Sequence, residues 1–239
     1  VLCAGCPHRA SFVAVKKAAA GTEAVFTGDI GCYTLGIAPP LELLDTCLCM
    51  GASITVASGL DTVEPDRPQI AFLGDSTFFH TGVPGILNAV YNESNITVVI
   101  LDNLTTAMTG HQPHPGTDSR AVGDNQHPID FTDLLTGCQV DFIREVDPYN
   151  LEAMKEATKE AMDYEGVSVI IARRECVTLV DDYGQYQVDQ TECSECDLCL
   201  TTLGCPALAK DETGVFISDQ CIGCGICVDI CPTGAIKEL

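Results

Sequence analysis

Apolar residues run along this chain in two rhythms. Short, nearly continuous runs occupy Ala24–Thr27, Gln69–Leu73, Ile96–Leu101 and Ser168–Ala172. Their length and β-branched content suit strands buried on both faces. A further strand is expected at Gln139–Arg144. Between them the apolar positions take helical spacing: Ala10–Ala20 (Phe12, Val13, Val15, Ala19), Met50–Leu60, residues 83–92, Phe131–Thr136 and Pro148–Tyr164. Strands alternating with helices predict an α/β domain, a three-layer parallel sheet covered on both faces.

Three stretches break the rhythm. The helix at 50–60 is rich in small residues, among them Gly51, Ala52 and Ser53. These permit close approach either to a cofactor or to the sheet. Residues 102–128 form a loop rich in Gly, Pro and His, far longer than the usual connection of about 4–6 residues and therefore expected to be functional. After Leu179 the apolar pattern stops. The expected division is a sheet domain at 1–180, a polar linker at 181–189 and a cysteine module at 190–239. Fifty residues cannot bury much core, so metal clusters are expected to hold the module together.

The chain has 239 residues and is 46% hydrophobic, enough for one good-sized domain plus a small one. With 34 acidic against 12 basic residues its net charge is −22, which argues against nucleic acid as a partner. No run of apolar residues is long enough to span a membrane, and no export signal is visible. A motif begins at Cys3, so the chain is expected to be a piece of a longer polypeptide. Fifteen cysteines, an odd number, point to metal clusters in a reducing, anaerobic cytoplasm rather than to disulfides.

Eight of the cysteines form an internal repeat. One half reads Cys193-x2-Cys196-x2-Cys199-x5-Cys205-Pro206, the other Cys221-x2-Cys224-x2-Cys227-x3-Cys231-Pro232. This resembles bacterial-type ferredoxins with two [4Fe–4S] clusters, small α+β domains in which the fourth Cys of each half ligates the other cluster. The resemblance implies one cluster on Cys193, Cys196, Cys199 and Cys231 and another on Cys221, Cys224, Cys227 and Cys205. The five-residue gap before Cys205, against the usual three, is a departure. A pair of zinc knuckles is the alternative, although zinc sites usually come as separated Cys pairs.

Asp75 and Asn103 each sit just past a predicted strand, in Gly74-Asp75-Ser76 and Leu101-Asp102-Asn103-Leu104-Thr105. If the two strands are neighbours, both side chains lie at the carboxyl edge of the sheet, where open α/β sheets bind ligands. A carboxylate and an amide oxygen suit a hard cation such as Mg²⁺; ordinary turn residues are the alternative. The segment resembles the diphosphate-binding motif of thiamine-diphosphate enzymes, with Ser76 where Gly is usual. By that resemblance Asp75, the Asn103 side chain and the Thr105 carbonyl hold Mg²⁺.

Cys3-Ala4-Gly5-Cys6-Pro7-His8-Arg9, Phe26–Leu35, Gly74–Gly82 and Leu101–Pro115, followed by the cysteine repeat, resemble the 2-oxoacid:ferredoxin oxidoreductases of the indolepyruvate type. The resemblance covers nearly the whole chain. It implies a third [4Fe–4S] cluster beside the thiamine on Cys3, Cys6, Cys32 and Cys176; a zinc pair at Cys3 and Cys6 with an unrelated Cys176 is the alternative. It also implies oxidative decarboxylation of an arylpyruvate with coenzyme A, giving an aryl-acetyl-CoA and carbon dioxide, with electrons passing through the clusters to an external ferredoxin. The missing pyrimidine-binding domain is expected in the absent N-terminal part of the polypeptide, and a beta subunit completes a hetero-oligomer. Another 2-oxoacid as substrate, or a pure electron-transfer module, are the competing readings. His80 and His111, beside the cofactor motifs, are candidates for orienting substrate or moving a proton, with a hydrogen-bonded structural role as the alternative. His8, His114 and His127 stay unassigned, and Cys47, Cys49 and Cys138 are expected to pack.

Overall fold

The computed structural model describes residues 1–181 and 183–239; Asp182, inside the expected linker, lies outside the described residues. The chain opens with α1 (Pro7–Ala18), β1 (Val25–Gly28), β2 (Thr46–Cys47), α2 (Ala52–Val63) and β3 (Gln69–Gly74). There follow α3 (Asp75–Thr77), which runs through a π-helical turn (Phe78–Gly82) into α4 (Val83–Tyr91), and β4 (Ile96–Asp102). Next come α5 (Phe131–Gly137), β5 (Phe142–Val146), α6 (Leu151–Asp163) and β6 (Val167–Arg173). These strands form one parallel sheet in the order β2-β1-β3-β4-β6-β5. β3 and β4 are central and buried along their whole length, as their unbroken apolar runs predict.

Two cores flank the sheet. On one face α1 and α6 pack over Phe12, Phe72, Val99 and Ile170. On the other α2 and α4 pack over Ile54, Leu73, Val98 and Val169. Gly85 is one place where a small residue sets the spacing: a Cβ there would lie 3.2 Å from Ile54 of α2. The α1 helix starts earlier than Ala10 because Pro7 occupies its first turn, where a missing N–H costs nothing. Strand β5 begins at Phe142 rather than Gln139. Gln139 takes a left-handed φ of 65° after α5 and Val140 drops into the core, so pairing with β6 is delayed.

The cysteine module contributes β7 (Tyr186–Val188), α7 (Leu198–Leu203), β8 (Leu208–Asp211), β9 (Gly214–Ile217) and β10 (Ile236–Glu238). β7 pairs antiparallel with β10, so residues 186–188, expected as linker, are instead a strand of the module. The module shares the α1-side core: Leu203, Leu208, Val215, Ile226 and Ile230 belong to the same buried cluster as Phe12 and Val13. At the joint Arg174 stacks over Tyr149 at 4.1 Å, and the Tyr183 amide donates to the Ile222 carbonyl at 2.9 Å.

The Phe72 ring lies 4.9 Å from Phe12 and is fully buried between α1 and the sheet. Phe72→Ala is expected to destabilise the sheet domain by about 3–5 kcal/mol, read as a lower urea midpoint in far-UV circular dichroism.

Candidate functional site

At the carboxyl edge of the sheet, Gly74 of β3 is paired with Leu101 of β4, which brings Asp75 and Asn103 to the same end. Asp75 is buried and its oxygens are heavily used. Oδ1 accepts from the Ser76 amide at 2.6 Å, and Oδ2 accepts from the Asn103 and Thr105 amides at 3.1 and 3.2 Å. The Asn103 side-chain oxygen faces the Thr105 carbonyl at 2.7 Å and Asp75 Oδ2 at 3.1 Å. Three oxygens with no proton between them repel. An amide turned by 180° would donate to both neighbours, but a cation removes the conflict without that turn. With Mg–O near 2.0–2.1 Å, adjacent ligands of an octahedron stand about 3 Å apart, so this spacing fits. The side chains of Asp75 and Asn103 and the carbonyl of Thr105 are thus brought together at one point of the sheet edge.

Two further groups crowd this point. Asp75, Asp102 and His114 offer ligand atoms within 4.8 Å of one another. Asp102 is already engaged, accepting from Arg173 Nε at 2.6 Å and from the Leu104 amide at 3.2 Å. Burial, and then the neighbouring Asp75, raise its pKa against the pull of Arg173. His114 is buried and stacks on Phe79 at 5.5 Å. Its Nδ1 accepts from the Gly116 amide, which leaves the proton of a neutral ring on Nε2, 3.1 Å from Asp75 Oδ2. Nε2 has no well-aligned partner in the protein.

The cleft above this edge encloses about 520 Å³ and is lined by Gly74, Asp75, Ser76, Asn103, Thr105 and Met108, among others. His8 and Cys32 reach it from the other side. Burial lowers His8 to a pKa of about 4, against the pull of Asp75, so its imidazole is neutral at pH 7. Gly51, Ala52 and Ser53 do not line the cleft. The Gly51 amide and the Ser53 hydroxyl each donate to Asp29 Oδ2 at 2.9 Å, while the Tyr33 hydroxyl donates to Oδ1. Asp29 is fully buried, and burial raises its pKa while these donors oppose the shift. Its role is to lock the turn before Cys32 onto the start of α2.

His80 is exposed in the π-helical turn and His111 is exposed in the long loop at φ 61°; neither lines the cleft. Within that turn Phe78 is the side chain that points into the core, and His80 lies on the exposed side. His111 instead stands 3.3 Å from Thr178 Oγ1, itself 3.2 Å from Cys176 Sγ. The histidines that do reach the site are His8 and His114. Their signal in the sequence was their place inside motifs, His8 beside Cys6 and His114 in the long loop.

The cysteines group into walls of cavities. Cys193, Cys196, Cys199 and Cys231 line one of about 350 Å³. Cys205, Cys221, Cys224 and Cys227 line another of about 430 Å³. Among the described residues no three cysteine sulfurs lie within 4.8 Å of one another. Cys3, Cys6, Cys32 and Cys176 are neighbours: the charges of Cys176 and Cys3 act on Cys32, and that of Cys3 on Cys6. Burial pushes the Cys6 and Cys227 thiols up to about 12. Of the other cysteines, Cys138 is buried at the end of α5, whereas Cys47 is half-buried and Cys49 exposed.

Comparison with known proteins places these features. Residues 29–172 match the thiamine pyrophosphate enzyme, C-terminal TPP binding domain, and residues 215–237 match a 4Fe-4S binding domain. The chain is 45% identical over 99% of its length to the indolepyruvate oxidoreductase subunit IorA of Archaeoglobus fulgidus and 43% identical to that of Methanothermobacter marburgensis. It spans 39% of the length of each. Its fold is similar to that of a 2-oxoglutarate:ferredoxin oxidoreductase from Magnetococcus marinus, with a TM-score of 0.64 at 20% identity, covering 74% of this chain and 64% of that one.

Every partner of the Asp29 side chain is a donor. Asp29→Asn would set an NH₂ against one of them, and a buried unsatisfied donor costs about 1–3 kcal/mol. The expected outcome is that loss in urea unfolding, with faster hydrogen exchange at the Gly51 amide.

Proposed function

Because this chain belongs to the thiamine pyrophosphate enzyme family, we propose that it is the diphosphate-binding and electron-relay portion of a 2-oxoacid:ferredoxin oxidoreductase that acts on arylpyruvates such as indolepyruvate. One observation supports this reading: the oxygens of Asp75, Asn103 and Thr105 gathered at the sheet edge and two four-thiol cavities lie on the same packed body. A non-oxidative decarboxylase has no use for the thiols, and a simple carrier has no use for the oxygens. Homology to IorA subunits over 99% of the chain supports the aryl substrate.

In this reading Asp75, Asn103 and Thr105 bind Mg²⁺, and Gly74 and Ser76 receive the diphosphate. His114 orients the Asp75 carboxylate, while neutral His8 stands at the cleft wall able to donate or accept one hydrogen bond. Bound thiamine diphosphate supplies the electron sink for decarboxylation. The thiols of Cys3, Cys6, Cys32 and Cys176 hold a cluster beside the cleft, and the two quartets of the cysteine module hold the others. Coenzyme A takes the acyl group, and an external ferredoxin takes the electrons. Domain limits of 1–180 for the sheet domain and 186–239 for the cysteine module, with β7 counted in the module, follow the two functions.

The rim of the cleft is apolar and open: Ile30 and Met50 are each 40% exposed and Met108 is 52% exposed. Such a patch fits an interface. The partner proposed is a pyrimidine-binding domain from the remainder of the polypeptide, completed by a beta subunit. The assembly is proposed to work in a reducing cytoplasm; among the described residues no helix is long and apolar enough to cross a membrane.

The full-length polypeptide, purified anaerobically with its beta partner, is expected to reduce a dye with indolepyruvate or phenylpyruvate in preference to pyruvate or 2-oxoisovalerate. Preference for the latter pair would move the substrate while keeping the chemistry. Asp75→Asn should lower that rate by more than the about 10–100-fold typical of losing an outer-shell partner of a metal. Three clusters require about twelve irons per chain, and about eight would remove the cluster assigned to Cys3, Cys6, Cys32 and Cys176. Turnover by residues 1–239 alone would contradict the need for the missing domain.

A further inference from the structure

Arg9 is an unusual cation. It is 3% exposed, and among the described residues no carboxylate pairs with it. All four of its hydrogen bonds go to main-chain carbonyls. Nη1 donates to Leu203 at 2.6 Å and to Gly204 at 2.8 Å; Nη2 donates to Leu2 at 2.6 Å and to Cys3 at 3.2 Å. Its buried Nε has no partner among the described residues. A guanidinium cannot shed its proton, and a buried charge without a counter-charge is strongly unfavourable. Neutral donors would have served four carbonyls as well, so the positive charge itself needs an explanation.

The location supplies one. The two carbonyl pairs flank thiol loops from different parts of the chain, Leu2 and Cys3 before Cys6, Leu203 and Gly204 before Cys205. Arg9 also lines the cavity walled by Cys205, Cys221, Cys224 and Cys227. Gly5, in the first of these loops, has a φ of 70° and lies so close to Ile222 that a Cβ would stand 2.3 Å from Ile222 Cδ1. One guanidinium therefore sits where two cluster-bearing loops meet. The third group, around Cys193, Cys196, Cys199 and Cys231, has a cavity that Arg9 does not touch.

We propose that Arg9 is the counter-charge of the cluster held by Cys205, Cys221, Cys224 and Cys227, and of its neighbour at Cys3 and Cys6, and that it raises their reduction potentials relative to the cluster at Cys193. This rests on the reading above that these thiols hold iron–sulfur clusters. Four thiolates make such a cluster anionic, and each electron it accepts adds negative charge. A fixed nearby cation favours the reduced form, because net charge and hydrogen bonding set these potentials. Arg9 is thus a positioning residue for electrons: it bonds no substrate, and it biases where an electron rests.

The test uses the full-length assembly, titrated reductively and followed by electron paramagnetic resonance. Cys196→Ser marks which signal belongs to the cluster at Cys193. In Arg9→Met the reduced-to-oxidised ratio of the Cys205 cluster at a given potential should fall at least tenfold, which is about 59 mV for one electron. The Cys193 cluster should not move. Arg9→Lys should keep the wild-type potential, and Arg9→Gln, which can still donate to carbonyls, should follow Arg9→Met. Should Arg9→Met fail to load its clusters, the Gln and Lys pair carries the comparison. An unchanged Cys205 cluster in the neutral variants, or an equal shift in all clusters, overturns the proposal. A wild-type assembly without iron at these thiols would instead overturn the reading on which it rests.

Discussion

Parallel pairing at the end of two central strands, which gathers Asp75, Asn103 and Thr105 at one point, is the constraint around which this molecule is arranged. The Asn103 side-chain amide lies 2.7 Å from the Thr105 carbonyl and 3.1 Å from Asp75 Oδ2, so it either turns its NH₂ towards them or shares a cation with them. Parallel pairing of β3 and β4 puts them there, and the chain after β4 is then tied to the same point. The Cys176 amide donates to the Asn103 carbonyl at 3.0 Å, and the Arg174 amide to the Asp102 carbonyl at 2.9 Å. The backbone that presents the cation ligands is therefore hydrogen-bonded to the backbone that presents a thiol.

The sheet domain and the cysteine module are joined by one continuous packed core. The cysteine module is not a bead on a flexible string, because its apolar residues are part of the core under α1. The loop that carries Cys3 and Cys6 forms part of the wall of the next thiol cavity through Ala4 and Gly5. The Tyr149 hydroxyl donates to the Gly5 carbonyl and holds that loop in place, with Arg174 stacked on the tyrosine ring.

Much of this was legible in the sequence. Unbroken runs such as Ile96–Leu101 can only be central parallel strands, and they place Asp75 and Asn103 at one edge. The cysteine spacing separates two quartets that line two separate cavities. Other features depend on contacts that no local pattern encodes. The two-residue strand β2 exists only because it finds β1. His114 reaches Asp75 because a long loop folds back over Phe79, while His80 takes the exposed side of a π-helical turn whose Phe78 takes the buried side. Ser53 looks like a cofactor contact from its neighbours in sequence, yet Asp29 captures its hydroxyl. Arg9 stands in the sequence only as the last residue of the Cys3–Arg9 motif, and the four carbonyls it bonds come from two distant segments.

The most direct test is a crystal structure of the full-length assembly with thiamine diphosphate and Mn²⁺ in place of Mg²⁺, the ion located by its anomalous scattering. The account predicts one ion bound by Asp75, the Asn103 side-chain oxygen and the Thr105 carbonyl, at about 2.0–2.2 Å as expected for a small hard cation. An ion bound elsewhere, with the Asn103 amide nitrogen turned towards Asp75, would contradict it.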